Sequence, residues 1–166
     1  DGPDNPDLPG ELPDELRDCM IFNTGGMNPA LTPADVAVTT GGSEALLFAF
    51  TAICDPGDEI LAPTPFYTNY NGFATIAGAS ITPIPTSIET NFALPSDAEL
   101  DQIKTDRTRA FVFSNPCNPT GAVYPKSEVA RLARWCHRNG IFSAADEVYR
   151  RIWFQDPPAS ALEIDD

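Results

Sequence analysis

Short apolar runs alternate with longer helical patterns through most of the chain. The short runs favour strands, and the longer patterns carry apolar residues at helical spacing. The predicted strands cover residues 36–39, 59–62, 80–84, 110–114 and 141–145, and the predicted helices cover residues 44–54, 66–78, 96–104 and 126–139. This alternation predicts an α/β fold with a mostly parallel sheet and flanking helices.

The stretch from residue 110 to residue 149 is the most informative part of this pattern. An apolar strand, the loop NPCNPTG, an amphipathic helix and a second apolar strand follow one another. They predict a βαβ unit, whose two strands are parallel and end at the same edge of the sheet. Ligands bind at that edge in open α/β folds. We therefore expect Asn118, Asp146 and Tyr149 to surround one crevice.

Local signals refine two of the helices. In the helix 44–54, Leu46, Leu47 and Phe50 share one face and the opposite face is also largely apolar, which predicts burial on most sides. Ser96 is followed three residues later by Glu99, which is the pattern of a capping box at the start of the helix 96–104. Residues 32–35 predict a helix cap or a turn, and residues 89–91 predict a turn.

Composition and charge exclude some classes of protein. The 166 residues, 42% of them hydrophobic, suffice for one ordinary domain with a buried core. The net charge of −14 argues against a nucleic-acid partner, which requires a basic surface. Seven acids, one base and several prolines lie in residues 1–18. We expect residues 1–34 to form a weakly ordered acidic segment and residues 35–166 to form the folded domain.

The cysteines and the hydropathy indicate a reducing compartment and no membrane span. The four cysteines show no metal-binding spacing, and the one histidine, His137, is expected on the surface. Buried reduced thiols favour the cytoplasm. No apolar run approaches the ~20 residues that a membrane span requires.

A glycine turn before the first predicted helix is a candidate anion site. Gly41 and Gly42 allow a sharp turn, and the first amides of the helix have no intrahelical partners. Ser43 can cap the helix or donate its hydroxyl to a phosphate oxygen; a plain tight turn explains the same residues. Tyr67 follows another strand end, where it can stack on a flat ligand ring or simply pack between helix and sheet.

The loop that carries Asn118 is a stronger candidate. Pro116, Pro119 and Gly121 constrain its backbone. A rigid loop at a strand end is a good platform for an aimed side-chain amide. So much constraint would be unusual in a turn with a purely structural role, so the functional interpretation is favoured here.

Asp146 follows a largely apolar strand, so burial of its carboxylate requires a partner. That partner could be Arg150 or Arg151, or a protonated ring nitrogen on a ligand. Tyr149 would project to the same side as Asp146 if the chain turns helically there. Glu147 is expected to face solvent or to cap backbone groups.

Four motifs together resemble the large domain of fold-type-I pyridoxal-phosphate enzymes, the class I/II aminotransferases. They are TTGGSEALLFAF, DPGDEILAPTPFYTNYNGF, NPCNPTG and ADEVYRRI, and the resemblance covers roughly residues 36–155. It is nearest to the aspartate-aminotransferase-like branch. The resemblance implies that residues 35–166 form part of a domain that binds pyridoxal 5′-phosphate.

The resemblance also implies a role for each candidate residue at the cofactor. Gly42 and Ser43, with Gly41 shaping the turn, would hold the phosphate, and Tyr67 would stack on the pyridine ring. Further residues would contact the edge of the ring. Asn118 and Tyr149 would hydrogen-bond the phenolic oxygen, and Asp146 would pair with the ring nitrogen and keep it protonated. A protonated ring withdraws electrons from the substrate carbon that loses its proton.

One essential group of such enzymes is expected to lie outside this chain. The family uses a lysine that holds the cofactor as a Schiff base, in a Ser-Lys motif beyond the Asp-x-x-Tyr strand. The lysines here, Lys104 and Lys126, are not expected to face the crevice. We therefore expect no catalytic residue here and an inactive fragment of a homodimeric parent.

The parent reaction would transfer an amino group from an amino acid to a 2-oxo acid. A carbon–sulfur lyase or a related eliminating or cyclising enzyme of the same fold is an alternative. So is a non-catalytic truncated or regulatory homologue.

Overall fold

The computed structural model describes residues 32–154 and 156–164. Helices and strands alternate along this part of the chain. They are α1 (Gly42–Ile53), β1 (Glu59–Thr64), α2 (Asn69–Ile76), β2 (Ser80–Pro85), α3 (Asp97–Ile103), β3 (Thr108–Ser114), α4 (Lys126–Arg138) and β4 (Phe142–Asp146). Three short 3₁₀ helices cover Pro33–Asp35, Ile88–Thr90 and Ala161–Glu163.

The four described strands form one parallel sheet in the order β2-β1-β3-β4. Helix α2 connects β1 to β2, α3 connects β2 to β3, and α4 connects β3 to β4. Ser114 pairs with Asp146 in the register of β3 and β4, so both strands end at the same edge. The predicted α/β fold with a parallel sheet is confirmed.

Side chains alternate between the two faces of the sheet and build a core on each. On one face, Ile60, Ala62 and Val112 pack with residues of α1 and α2, including Phe50 and Tyr70. The opposite face has a second core. Strand residues Leu61, Phe111 and Phe113 pack there with Leu100 of α3 and Trp135 of α4. Helices therefore cover both faces of the sheet and leave its carboxyl edge open for a site.

The start of α3 shows the predicted capping box. The Ser96 hydroxyl accepts a hydrogen bond from the Glu99 amide, and the Glu99 carboxylate accepts one from the Ser96 amide. Helix α1 starts differently, because Gly41 is its N-cap and provides no side-chain hydrogen bond. Ser43 lies inside the helix, so it is not the cap.

Two sequence predictions about the first part of the chain are wrong. Residues 36–39 form no strand, because a strand requires ladder hydrogen bonds and the described strands pair only with one another. Helix α1 is not buried on most sides. Phe50 is fully buried but Phe48 is 57% exposed, because the cores described above cover only one side of the helix.

The cap or turn predicted for residues 32–35 and the turn predicted for residues 89–91 are confirmed. Most of the predicted acidic segment, residues 1–31, lies outside the described residues. The carboxylate of Asp35 accepts hydrogen bonds from the amide and hydroxyl of Thr32. Residues 88–90 form a short 3₁₀ helix that ends at a left-handed Asn91. The weakly ordered segment predicted for residues 1–34 stays a prediction, because residues 1–31 are not described. In the described part of the chain, every helix is too short or too polar to span a bilayer.

Candidate functional site

A cavity of about 170 Å³ opens at the carboxyl edge of the sheet. Its lining residues come from the start of α1, from the segments after β1 and β3, and from the end of β4 and the turn that follows. They are Gly42, Ser43, Leu46, Tyr67, Asn118, Asp146, Val148 and Tyr149. The structure thus brings all the predicted site residues to one cavity except Gly41, which precedes this lining as the N-cap of α1.

The first turn of α1 presents open amides to the cavity. The carbonyl of Gly41 accepts hydrogen bonds from the amides of Glu44 and Ala45. The amides of Gly42 and Ser43, and the Ser43 hydroxyl, make no hydrogen bond to another described residue. Helix N-termini of this kind favour anions, because the amides and the helix dipole point toward the ligand.

Gly42 also lies close to the opposite wall of the cavity. A Cβ atom added at Gly42 would lie 2.9 Å from Cγ1 of Val148, which is shorter than an ordinary van der Waals contact. The turn after β4 therefore approaches the glycine turn closely. A side chain at position 42 would intrude between these two walls.

The carboxylate of Asp146 is held at the end of β4. The side chain of this residue is buried, with only 9% of the residue exposed. Its Oδ2 accepts a hydrogen bond from the Tyr70 hydroxyl at 2.7 Å, and its Oδ1 accepts a longer one from the Val148 amide at 3.3 Å. Glu147 lies next to it and has Arg150 as an ion-pair partner at 3.9 Å.

Tyr70 is a functional candidate that the sequence reasoning missed. It lies in α2, is completely buried and donates to a carboxylate 76 residues further along the chain. Burial raises its pKa, and the hydrogen bond to Asp146 raises the pKa further, so the phenol remains a neutral donor. The available signal in the sequence was that Tyr70 follows Tyr67 by three residues, a spacing that places two helical side chains on the same side.

The loop NPCNPTG carries Asn118 into the cavity. The Cys117 amide donates to the carbonyl of Ala122, and the Gly121 amide donates back to the carbonyl of Cys117. Gly121 has a positive φ of 72°, which closes this tight loop. The side-chain amide of Asn118 makes no hydrogen bond to another described residue, so its polar atoms can serve a ligand.

The two tyrosines of the cavity differ in how they are held. The hydroxyl of Tyr67 accepts a hydrogen bond from the side-chain amide of Asn69 at 2.7 Å. The hydroxyl of Tyr149 makes no hydrogen bond within the described part of the chain, and this residue is 39% exposed. Tyr149 therefore has a polar group available to a ligand at the mouth of the cavity.

Glu147 fixes the turn that carries Val148 and Tyr149. Its carboxylate accepts hydrogen bonds from the Ser160 hydroxyl and the Ala161 amide, both at 2.7 Å. It therefore caps the 3₁₀ helix Ala161–Glu163, as one of the two predictions for this residue proposed.

The charge of the lining is set by Asp146. Among the described residues that line the cavity there is no lysine or arginine, and Lys104 and Lys126 are not among them. An anion would therefore be bound by amides and hydroxyls, and no amine in this lining could bind a carbonyl group covalently.

Comparison with known proteins identifies the family. The sequence model of the family "Aminotransferase class I and II" matches residues 8–165. The chain belongs to this aminotransferase family. The match begins well before residue 36, so it extends beyond the motifs on which the resemblance rests and includes most of the acidic leader.

The curated relatives of this aminotransferase-family chain are themselves named as aminotransferases. It is 33% identical to the aspartate aminotransferase of Streptomyces avermitilis over 131 residues, which are 79% of the chain and 32% of the relative. It is 36% identical to the aspartate/prephenate aminotransferase of Thermus thermophilus over 148 residues, which are 89% of the chain and 38% of the relative. The chain thus spans about a third of the length of these relatives.

Solved structures of aminotransferases superpose on most of this chain. An aspartate aminotransferase from Thermotoga maritima superposes with a TM-score of 0.87 at 30% identity, covering 94% of this chain and 42% of that chain. An aromatic aminotransferase from Pyrococcus horikoshii superposes with a TM-score of 0.86 at 31% identity, covering 95% of this chain and 42% of that chain. The fold of the chain is therefore that of part of an aminotransferase.

Proposed function

We propose that this chain forms the floor of a pyridoxal-phosphate site in an enzyme that transfers an amino group from an amino acid to a 2-oxo acid. One observation carries the proposal. A single cavity at the carboxyl edge of the sheet gathers an amide-rich helix start, an aromatic ring, a side-chain amide and a buried carboxylate. This donor set suits a phosphorylated aromatic heterocycle.

The start of α1 would hold the phosphate. The open amides of Gly42 and Ser43 and the Ser43 hydroxyl supply donors, and Gly41 shapes the turn in front of them. Because the lining contains no lysine or arginine among the described residues, the helix start would supply the positive potential. Glycine at position 42 fits this role, since a Cβ there would lie 2.9 Å from Cγ1 of Val148 and displace the opposite wall.

The remaining lining residues would hold the ring. Tyr67 would stack on its face, and Asn118 and Tyr149 have polar side-chain groups that could donate to its phenolic oxygen. Asp146 would accept a hydrogen bond from the ring nitrogen and keep the proton on it. When bound, the cofactor supplies an electron-withdrawing ring that stabilises negative charge at the substrate carbon that loses its proton.

Amino transfer is favoured over the alternative functions. The curated relatives above are named as aminotransferases, which favours transfer over a carbon–sulfur lyase or a related elimination. Since Lys104 and Lys126 do not line the cavity, the covalent anchor of the cofactor would come from other residues of the parent protein. We expect the 166-residue chain by itself to bind the cofactor weakly and to show no turnover.

The cellular setting of the parent is part of this proposal. The described cysteines Cys54, Cys117 and Cys136 are free and buried, which supports a reducing compartment such as the cytoplasm. A homodimeric parent rests on the family resemblance alone.

A binding experiment tests the proposal. The chain is titrated with pyridoxal 5′-phosphate while the visible spectrum is recorded, and the mixture is then reduced with borohydride and digested for mass spectrometry. We expect saturable binding without a stoichiometric adduct. A stoichiometric adduct at Lys104 or Lys126 would show that our assignment of the missing anchor is wrong.

The variant Asp146→Ala tests the key carboxylate in the same titration. We expect it to abolish saturable binding, because the ring nitrogen loses its charged partner. Asp106→Ala is the matched control, since Asp106 is exposed and precedes β3 at the opposite edge of the sheet. Unchanged affinity of the Asp146 variant would remove this residue from the site.

A further inference from the structure

Tyr70 occupies an unexpected place behind the cavity. It does not line the cavity, yet its hydroxyl donates the shorter of the two hydrogen bonds that the Asp146 carboxylate accepts from described residues. We propose that Tyr70 is a positioning residue, which fixes the Asp146 carboxylate in the orientation that a ring nitrogen requires. The inference rests on the proposed function, because it concerns the same ligand nitrogen.

The packing around Tyr70 supports a fixed orientation. Tyr70 is completely buried, with its ring stacked against Phe66 at a centroid distance of 6.0 Å and an interplanar angle of 16°. The ring of Tyr67 meets it edge-on at 5.7 Å and 87°. A phenol that is held on two sides in this way cannot swing away, so it directs its hydroxyl at one oxygen of the carboxylate.

The lengths of the two hydrogen bonds indicate which donor controls the carboxylate. The bond from Tyr70 to Oδ2 is 2.7 Å long, whereas the bond from the Val148 amide to Oδ1 is 3.3 Å long. Hydrogen bonds to ionised oxygens are short and about twice as strong as neutral ones. Without the hydroxyl, the Asp146 carboxylate would keep, from the described residues, only the longer hydrogen bond that the Val148 amide donates.

The protonation of Tyr70 suits this role. Burial raises the pKa of the phenol well above its ordinary value, and so does the hydrogen bond to Asp146. The hydroxyl therefore remains a donor under all physiological conditions and does not compete as a base.

The test compares two ligands that differ at the ring nitrogen. Pyridoxine 5′-phosphate carries the nitrogen and the phenolic oxygen but no reactive aldehyde, and benzyl phosphate carries a ring and a phosphate but neither of these groups. The ratio of their affinities, measured by calorimetry on the 166-residue chain, therefore contains both contributions. A change in this ratio on substitution of Tyr70 or Asp146 reports the nitrogen, because the phenolic oxygen is assigned to other residues. General damage to the site lowers both affinities and leaves the ratio unchanged.

We expect Tyr70→Phe to lower the affinity for pyridoxine 5′-phosphate about tenfold and to leave the affinity for benzyl phosphate unchanged. Asp146→Asn should reduce the ratio further. In the Asp146→Asn background, Tyr70→Phe should cause no additional change in the ratio, because Tyr70 acts through Asp146.

Tyr124→Phe is the matched control for the loss of a buried phenol. Tyr124 is 5% exposed, packs edge-on against Phe113 and does not line the cavity. Its variant should keep the wild-type ratio. Equal loss of the ratio in the Tyr70 and Tyr124 variants would overturn the inference, and so would a wild-type ratio in Tyr70→Phe.

The outcomes separate this inference from the proposed function. A wild-type chain that prefers pyridoxine 5′-phosphate, together with an unaffected Tyr70 variant, leaves the proposed function standing and refutes the positioning role. A wild-type chain without the preference refutes both.

A measurement without any substitution covers the case in which Tyr70→Phe does not fold. The buried hydroxyl proton should exchange slowly and give a separate proton NMR resonance. We expect that resonance to shift when pyridoxine 5′-phosphate binds and not when benzyl phosphate binds. Equal responses to both ligands would contradict the inference.

Discussion

Gly42 leaves little room in the cavity for a larger side chain. Replacing it with alanine would place a methyl group 2.9 Å from Cγ1 of Val148, and Val148 is largely exposed and able to move. We therefore expect Gly42→Ala to fold normally but to lower the affinity for pyridoxine 5′-phosphate about tenfold, or about 1.4 kcal/mol. Calorimetry and thermal unfolding measure these two effects.

A second substitution and a control sharpen this prediction. Val148→Ala in the Gly42→Ala background removes Cγ1 and should recover part of the lost affinity. Gly72→Ala adds the same methyl group where no atom lies within 4 Å, outside the cavity, and should leave the affinity unchanged. Wild-type affinity in Gly42→Ala would show that the glycine turn does not contact the ligand.

Most of the candidate site could be predicted from the sequence because its residues follow strand ends. Parallel strands end at one edge, so Asn118 and Asp146 had to lie near each other once the βαβ unit was recognised. Tyr70 could not be found in this way. Its contact with Asp146 depends on how α2 packs on the sheet, and no local pattern encodes a partner 76 residues away.

At the scale of the elements, the pair α3 and α4 is held by a carboxylate between two arginines. Asp97 in the first turn of α3 accepts hydrogen bonds from Arg131 and Arg138 of α4. Partial burial would raise its pKa, but the hydrogen bonds and charges of the arginines outweigh this and lower the pKa below its ordinary value of 3.8. The stabilisation that Asp97 gains from the two arginines therefore depends on pH.

The sign of the linkage follows from the lowered pKa. Because the folded state binds the Asp97 proton less tightly than the unfolded state does, the stabilisation is present above about pH 4 and is lost as the pH falls through the folded value. We expect Asp97→Asn to lower the free energy of unfolding by about 0.5–1 kcal/mol near neutral pH, a small value because solvent screens these partly exposed groups.

Urea unfolding of both proteins at several pH values measures this difference. The difference should shrink as the pH falls and should vanish once the pH lies below the lowered pKa of the folded state, where the wild-type carboxyl is protonated as well. Asp106→Asn is the control, because Asp106 is exposed and forms no ion pair with another described residue. A difference that persists unchanged in acid would contradict the charge-based explanation.

The elements themselves were predictable where the pattern and the packing agree. The four strands of the sheet and the capping box of α3 follow directly from apolar runs and cap residues. The strand predicted for residues 36–39 failed because β-branched residues form a strand only beside a partner strand. The burial of α1 was overestimated for a related reason, since an apolar face such as that of Phe48 does not specify what covers it.

At the scale of the whole molecule, exposed apolar residues occur on the edge strand β4 and in the segment that follows it in the chain. Among the described strands, β4 pairs only with β3, so the other side of β4 is an edge that no other described strand covers. Phe142 on this strand is 57% exposed, and Trp153 and Phe154 in the segment beyond it are 48% and 98% exposed. Exposed apolar residues next to an unpaired edge promote association between chains.

We therefore expect the 166-residue chain by itself to self-associate, with the β4 edge contributing to the contact. Size-exclusion chromatography with light scattering should give a mass above 17.9 kDa that rises with concentration. Phe142→Lys should reduce association, because a charge on an edge strand disfavours pairing. Ile88→Lys adds the same charge at a 72% exposed position away from the sheet and should not reduce it. A folded, monodisperse wild-type monomer would contradict the prediction. Equal effects of the two lysines would show that the change in the net charge of −14, and not the β4 edge, controls association.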